Sequence, residues 1–155
     1  MRICREARAV GVAVGVLAAG CAASGGAAGR DPSARTYGEQ KVVYHLNDHA
    51  QVEGALRSIG NHVDAVGAER IRLAVVAHGK GMDFLLAGWK DAAGKDYAAQ
   101  VQELVDRGVR FMVCEVTVTR RKIDRSTVNP LAVFVPSGVA AVAELQAQGY
   151  AYIRP

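Results

Sequence analysis

The segment Ile71-Arg-Leu-Ala-Val-Val-Ala77 constrains the fold of this chain more than any other. Its last five residues are apolar without alternation, which is typical of a β-strand that is covered on both faces. Strands of this kind occur mainly in parallel sheets, whose connections are usually helices. The apolar run stops at His78-Gly-Lys-Gly81, so the strand ends there. We therefore expect an α/β domain with this strand inside a parallel sheet.

Strand-like and helical segments alternate along the rest of the domain. The sequence predicts strands at residues 41–46, 71–77, 109–114, 131–135 and 150–153. Asp48 and Gln51 have the spacing of a capping box for the first helix, and Gly67 marks its end. Residues 115–125 favour a strand by propensity, whereas the alternation requires a helix, and we predict a helix or helical turn there. The predicted fold class is α/β, with a mainly parallel five-stranded sheet and helices on both faces.

Polar residues gather where the predicted strands end. In a parallel sheet these ends share one edge, and ligands bind just outside it. The residues at or just after the strand ends are His45, Asn47, His78, Gly79, Cys114, Ser137 and Gly138. Capping of the last helix explains Ser137 without a catalytic role. This edge of the sheet is therefore the candidate binding site.

Cys114 has two interpretations. If a helix begins directly after it, backbone N–H groups and the helix dipole lower the pKa of its thiol and favour a thiolate. Arg120, Arg121 and Lys122 either add positive charge to that site or form a solvated surface. Alternatively, Cys114 is a buried and inert residue at the end of a core strand. The sequence leaves both interpretations open.

The histidines near this edge are also open to more than one interpretation. His45 is a general base, a ligand or a core imidazole with satisfied hydrogen bonds, whereas glycines after His78 let a ligand approach the backbone. A zinc or copper site made by His45, His78 and Cys114 is a weaker alternative. Nothing in their spacing requires it, and we predict no metal and no cofactor. The phosphate-binding glycine spacings are lacking, so nucleotide binding is not supported. His49 and His62 are expected to face solvent.

The first 20 residues are predicted to be a signal peptide. Arg2, Arg5 and Arg8 precede an uncharged run, and its roughly 12 residues are too few to span a bilayer. The run ends in Leu17-Ala-Ala-Gly-Cys21, which resembles the lipobox of bacterial lipoproteins, with Cys21 as the lipidated residue. Plain cleavage, which releases a soluble periplasmic protein, is the alternative. We expect a periplasmic protein that is anchored to the membrane as a lipoprotein.

Composition separates a flexible tether from a single domain. Residues 21–40 hold almost no large apolar side chains, so they cannot form a core, whereas residues 41–155 suffice for one domain. Without the leader, three arginines and one glutamate are lost and the formal net charge falls from +4 to +2. That charge gives little support for a nucleic-acid partner. Cys4 lies in the leader and Cys21 is the expected lipid site, which leaves Cys114 without a disulfide partner.

Segments across residues 41–155 resemble the DsrE/DsrF-like family, and they occur in the same order. The matching segments are Val43-Tyr-His-Leu-Asn47, Val75-Val-Ala-His-Gly79, Gly108-Val-Arg-Phe-Met-Val-Cys114 with Thr117, Val135-Pro-Ser-Gly-Val139 and Gly149-Tyr-Ala-Tyr-Ile153. The resemblance implies a three-layer α/β/α domain with a parallel five-stranded sheet, assembled into oligomers such as trimers or hexamers. It also implies that Cys114 carries sulfane sulfur as a persulfide. The resemblance implies that His45 and His78 line the same site. The predicted substrate-binding residues are His45, Asn47, His78, Gly79 and Thr117.

Two functions are expected on these grounds. The first is a periplasmic, sulfurtransferase-like sulfur carrier that uses a Cys114 persulfide, with a donor and an acceptor that the sequence does not name. Characterised members of the family act in sulfur oxidation and in thiolation of transfer RNA, and the predicted leader argues against the transfer-RNA role. The second is a non-catalytic module of the same fold that binds a small ligand or supports assembly, with Cys114 buried.

Overall fold

Five parallel strands form the sheet of this domain. The computed structural model describes residues 37–155; the predicted signal peptide, Cys21 and most of the predicted tether lie outside the described residues. The strands are β1 (Gln40–Leu46), β2 (Ile71–Ala77), β3 (Arg110–Cys114), β4 (Val133–Val135) and β5 (Ala151–Ile153). Their order is β4-β3-β2-β1-β5, and every pairing is parallel. The prediction of a parallel five-stranded sheet is confirmed.

Helices cover both faces of the sheet and give the domain three layers. They are α1 (Val52–Val66), α2 (Ala98–Asp106), α3 (Glu115–Arg120) and α4 (Gly138–Ala147), with 3₁₀ turns at His49–Gln51, Gly79–Leu85 and Arg125–Thr127. Apolar residues of α1, α2 and α3 pack on one face, and Val142 and Leu145 of α4 pack on the other. The predicted α/β fold class is therefore confirmed. Within residues 37–155, no helix is long and apolar enough to cross a membrane.

The predicted helix signals lie where the structure needs them. The Asp48 carboxylate accepts the N–H of Ala50 at 2.9 Å, and the Gln51 side chain accepts the N–H of Asp48 at 3.3 Å. This capping box closes the 3₁₀ turn that leads into α1, and Gly67 ends α1 with a φ of 93°, where side chains are disfavoured. The Ser137 hydroxyl caps α4 by accepting the N–H of Ala140 at 3.5 Å. Ser137 is thus a cap, as predicted.

Two boundaries show where local structure competes with propensity. The ambiguous stretch after Cys114 begins with α3, so the predicted helix is confirmed. The fourth strand is shorter than predicted, because a turn after Asn129 occupies its first two residues. The Asn129 side chain accepts the N–H of Leu131 at 2.9 Å, and its carbonyl accepts that of Ala132 at 3.0 Å.

The prediction that His62 faces solvent is wrong, whereas His49 is exposed as expected. Nε2 of His62 lies 2.7 Å from the amide oxygen of Gln40, and its Nδ1 lies 3.1 Å from the hydroxyl of Tyr44. An amide oxygen only accepts, so Nε2 carries the proton and Nδ1 accepts from the tyrosine. His62 therefore links α1 to β1 through the layer that faces α1.

The turn after β2 lies directly on the end of β1. The N–H of His78 donates to the carbonyl of Leu46 at 3.0 Å. A Cβ atom on Gly81 would lie 2.5 Å from the carbonyl carbon and oxygen of Leu46 and 2.6 Å from the backbone nitrogen of Asn47. Glycine is required for so close an approach. The packing fixes the loop that carries His78 and Gly79.

Gly81→Ala is expected to destabilise the domain by about 1–3 kcal/mol, because the added methyl group pushes this turn away from β1. Gly54→Ala is the matched control, since nothing lies within 4 Å of a Cβ atom added to Gly54 in α1. Alanine at that helical position leaves stability unchanged or raises it by up to about 1 kcal/mol. Urea denaturation measures both effects. A Gly81→Ala variant as stable as the wild type contradicts the close packing of this turn.

Candidate functional site

His45, His78 and Cys114 lie on one face of the sheet, at the edge where the strands end. Side chains alternate along a strand, so His78 shares the face of Val76, which pairs in register with His45. The register of β3 beside β2 places Cys114 next to His78. Val76 belongs to the apolar cluster that includes α4 residues. The three residues therefore share the face that α4 covers.

His45 and His78 form a hydrogen-bonded pair. Their Nε2 atoms are 2.5 Å apart, so one imidazole donates its proton and the other accepts it. The ring centroids are 4.7 Å apart and the ring planes are inclined by 31°. On the other side of His45, Nδ1 lies 2.8 Å from the hydroxyl oxygen of Tyr152. Both nitrogens of His45 are thereby engaged.

Both histidines of the pair resist protonation. Burial lowers the pKa of His45, and the positive charges of a protonated His78 and of Arg154 lower it further. Burial also lowers the pKa of His78. An unperturbed histidine has a pKa of about 6.5, so at neutral pH both rings are predominantly uncharged. A neutral pair keeps the free lone pair that the contact between the two Nε2 atoms requires.

Cys114 ends β3 and directly precedes α3. The residue is buried, with 5 % of its surface exposed. Burial raises the pKa of its thiol, but hydrogen bonds from the backbone N–H of Gly138, from the N–H and hydroxyl of Thr117 and from the N–H of Val116 together lower that pKa by more. The net pKa is therefore below the ordinary value for cysteine. These donors stabilise a negative charge on the sulfur.

Gly138, the first residue of α4, lies between Cys114 and His78. A Cβ atom on Gly138 would lie 3.2 Å from the Cβ of Cys114 and 3.4 Å from that of His78. A side chain there requires its neighbours to move. Glycine thus lets α4 begin directly over the site, and its N–H is among the donors that lower the pKa of Cys114.

The remaining predicted site residues, Asn47, Gly79 and Thr117, form a second strip beside Cys114. The hydroxyl of Thr117 accepts the N–H of Gly79 at 3.1 Å. The carbonyl oxygen of Asn47 lies 3.1 Å from the position that a Cβ atom on Gly79 would take, and Gly79 has a φ of 58°, which favours glycine. The structure therefore brings these three residues together, with Thr117 on the helix that directly follows Cys114.

The basic residues after Cys114 do not all serve the same purpose. Arg121 donates to the carbonyl of Gly79 at 2.6 Å and to the Asp83 carboxylate at 2.5 Å. Asp83 is buried, and this ion pair compensates its charge. Arg120 and Lys122 are exposed. Arg121 therefore holds the His78 loop against α3.

The sequence interpretation did not identify Tyr152, the hydrogen-bond partner of His45. The residue lies in β5, which pairs with β1 rather than with β4, its nearest strand in sequence. An alternation argument places Tyr152 on one face of a strand, but only the strand order brings it next to His45. The missing information was topological.

A metal site gains no support from the described residues. Within residues 37–155, no three His, Cys, Asp or Glu side chains are grouped to hold a metal ion. The two imidazole Nε2 atoms are 2.5 Å apart, whereas two nitrogen ligands of a tetrahedral zinc ion are separated by about 3.3 Å. The pair geometry is that of a hydrogen bond.

Comparison with known proteins agrees with this fold. The structure of MTH1491, a protein of unknown function from Methanobacterium thermoautotrophicum, has a TM-score of 0.67 and 28 % sequence identity, covering 76 % of this chain and 100 % of that chain. The crystal structure of the ychN protein from E. coli has a TM-score of 0.58 and 13 % identity, covering 77 % and 100 %; it is evidence for the fold alone. Among curated proteins, no significant match was found.

The family comparison covers the whole described domain. The model of the DsrE/DsrF-like family matches residues 39–155. This range includes all five strands of the sheet, the helices that cover it and all residues of the candidate site. The chain therefore belongs to the DsrE/DsrF-like family.

Proposed function

We propose that this protein carries sulfane sulfur on Cys114 as a persulfide. The observation that supports this most strongly is the position of the buried Cys114, directly before α3 and against Gly138 at the start of α4. Donors from Gly138, Thr117 and Val116 lower the pKa of its thiol there despite its burial. A lower pKa increases the thiolate fraction at neutral pH, and the thiolate is the nucleophile in sulfur exchange. Family membership supports the same function, because characterised members pass sulfane sulfur.

The chemistry needs two displacements at sulfur. In the first, the Cys114 thiolate bonds to the sulfane sulfur of a donor such as thiosulfate or polysulfide. The sulfur–sulfur bond of the donor breaks, and its electron pair leaves with the rest of the donor, which is sulfite in the case of thiosulfate. In the second, an acceptor thiolate bonds to the outer sulfur and Cys114 leaves as a thiolate. Neither step requires an external oxidant or reductant.

Each other site residue has a part in this proposal. Thr117 stabilises the Cys114 thiolate through its N–H and hydroxyl. Gly79 and Asn47 shape the wall next to Thr117. His45 and His78 form an uncharged wall of the site on the side of β1. The hydrogen bonds around the sulfur therefore stabilise the negative charge of the donor.

The proposal includes a location and an assembly. We propose that the predicted leader directs the domain to the periplasm and that lipid on Cys21 anchors it to the membrane. The donor and acceptor are then periplasmic, and nucleic acid is not a partner. Homo-oligomers, trimers or hexamers, are the assembly that family resemblance implies. Size-exclusion chromatography with light scattering tests the assembly independently of the chemistry.

The burial of Cys114 favours a second candidate function. With 5 % of the residue exposed, the thiol is as shielded as an inert core cysteine. In that case the domain is a non-catalytic module that binds a small ligand or supports assembly. Alkylation of the folded protein separates the two functions, because a carrier thiol reacts readily and an inert one reacts at the rate of unfolding.

Cys114→Ser is expected to abolish sulfur loading. The test uses the full chain with Cys4 and Cys21 replaced by serine, so that Cys114 is the only remaining cysteine. After exposure to polysulfide or thiosulfate, intact-mass spectrometry is expected to show added sulfur that dithiothreitol removes. The variant with Cys114→Ser as well is the control. No added sulfur on a reduced Cys114 contradicts the carrier function, as does equal addition to the control.

Thr117→Val is expected to slow loading by polysulfide about threefold to tenfold at neutral pH. Loss of the hydroxyl raises the pKa of Cys114, and each pKa unit lowers the thiolate fraction about tenfold. Thr117→Ser keeps the hydroxyl and is expected to load at nearly the wild-type rate. Thr119→Val is the matched control, since Thr119 is exposed on the same helix. Mass spectrometry measures the initial rates of sulfur loading. Equal rates for Thr117→Val and Thr119→Val contradict the role of Thr117.

A further inference from the structure

Three side chains form a hydrogen-bonded row from the solvent to the Cys114 site. Tyr152 is 41 % exposed on the edge strand β5, and its hydroxyl contacts Nδ1 of His45 at 2.8 Å. Nε2 of His45 contacts Nε2 of His78 at 2.5 Å. His78 and Cys114 both flank Gly138. The row therefore runs from an exposed hydroxyl to His78, which shares Gly138 as a close neighbour with Cys114.

The protonation states along this row are coupled. If the Tyr152 hydroxyl donates to Nδ1 of His45, then Nε2 of His45 carries a proton and donates it to His78. If Nδ1 of His45 donates to the tyrosine oxygen instead, Nε2 of His45 accepts and His78 donates. The two arrangements differ by a concerted shift of protons along the row. The direction in which Tyr152 bonds thus decides whether Nδ1 of His78 carries a proton or has a free lone pair.

We propose that His78, His45 and Tyr152 form a proton relay between the Cys114 site and solvent, in which Tyr152 positions His45. The inference rests on the proposed sulfur-carrier function and adds a proton path to it. Tyr152 touches neither sulfur nor Cys114 in this scheme; it acts through His45.

The relay serves the step in which sulfur leaves Cys114. An acceptor thiol gives its proton to His78. The sulfur of the acceptor then bonds to the outer sulfur of the protonated Cys114 persulfide. The bond between the outer sulfur and Cys114 breaks, and Cys114 keeps the electron pair as a thiolate. The products are the acceptor persulfide, the Cys114 thiolate and one protonated imidazole, so charge and atoms balance. The relay then releases the proton through Tyr152.

The charges around the pair fit transient rather than permanent protonation. Arg154, after β5, disfavours a positive charge on His45. Arg121 is bound to the Gly79 carbonyl next to His78 and is paired with Asp83. From α4 the neighbour is Gly138, which has no charge. A thiolate on Cys114 is the anion that favours the protonated pair, and it forms in the same step that delivers the proton.

Tyr152→Phe tests the relay, and Tyr37→Phe is the control, because Tyr37 is also an exposed tyrosine (49 %). The full chain with Cys4→Ser and Cys21→Ser is loaded with polysulfide and then mixed with free cysteine as the acceptor, over a range of pH. Loading is expected to be unchanged. The rate of sulfur transfer to cysteine is expected to fall about tenfold in Tyr152→Phe. This is less than the roughly 10²–10⁴ that a directly acting acid or base contributes. The pH profile of the transfer rate is also expected to shift.

NMR of the imidazole nitrogens gives a second readout that needs no sulfur. Tyr152→Phe is expected to change the tautomer populations of His45 and His78, whereas Tyr37→Phe leaves them unchanged. Normal loading with equal transfer in the two variants, or unchanged tautomers in Tyr152→Phe, overturns the relay alone. Absence of loading in the parent protein overturns the carrier function and the relay with it.

Discussion

The close approach of Gly138, the first residue of α4, to Cys114 is the constraint on which the rest of the site depends, and its backbone N–H is among the donors that lower the pKa of the Cys114 thiol. α4 begins directly over the ends of β2 and β3, and a side chain at position 138 would press on the Cβ atoms of Cys114 and His78. α3 supplies further donors at Val116 and Thr117. A buried sulfur that lacked these donors would have a raised pKa and behave as an apolar residue. Burial alone therefore does not distinguish an inert cysteine from a protected thiolate. The hydrogen bonds to the sulfur make that distinction.

The histidine pair complements this arrangement without adding charge. Burial lowers the pKa of His45 and of His78, so at neutral pH the pair shares a proton and holds no permanent counter-ion for the thiolate. Protonation of either ring becomes favourable when negative charge appears on Cys114. In the proposed function, fixed dipoles therefore stabilise the anion at this site, and the imidazoles are available for proton transfer. Arg121, which directly follows α3, is bound to Asp83 and Gly79 instead.

Sequence reasoning predicted the sheet and the edge at which the candidate residues gather, because both follow from local patterns. The uniform apolar run of β2 fixed a buried parallel strand, and strand ends located His45, His78 and Cys114 at one edge. Tyr152 was missed because its position depends on β5 pairing with β1 across the sheet, a long-range choice that no local period encodes. His62 was misplaced because its hydrogen bonds to Tyr44 and Gln40 depend on tertiary packing. β4 is shorter than predicted because the Asn129 side chain accepts the N–H of Leu131 and forms a turn at the start of the predicted strand.

The most direct test is the pKa of the Cys114 thiol in the folded protein, measured from the pH dependence of its alkylation in a chain that lacks the other cysteines. The account predicts a midpoint below the value of about 8.5 for an unperturbed cysteine, and a return to an ordinary or higher value when the protein is unfolded in urea. A midpoint in the folded state at or above that of the unfolded chain would show that burial outweighs the backbone donors. Cys114 would then be a core residue, and the sulfur-carrier function would be contradicted.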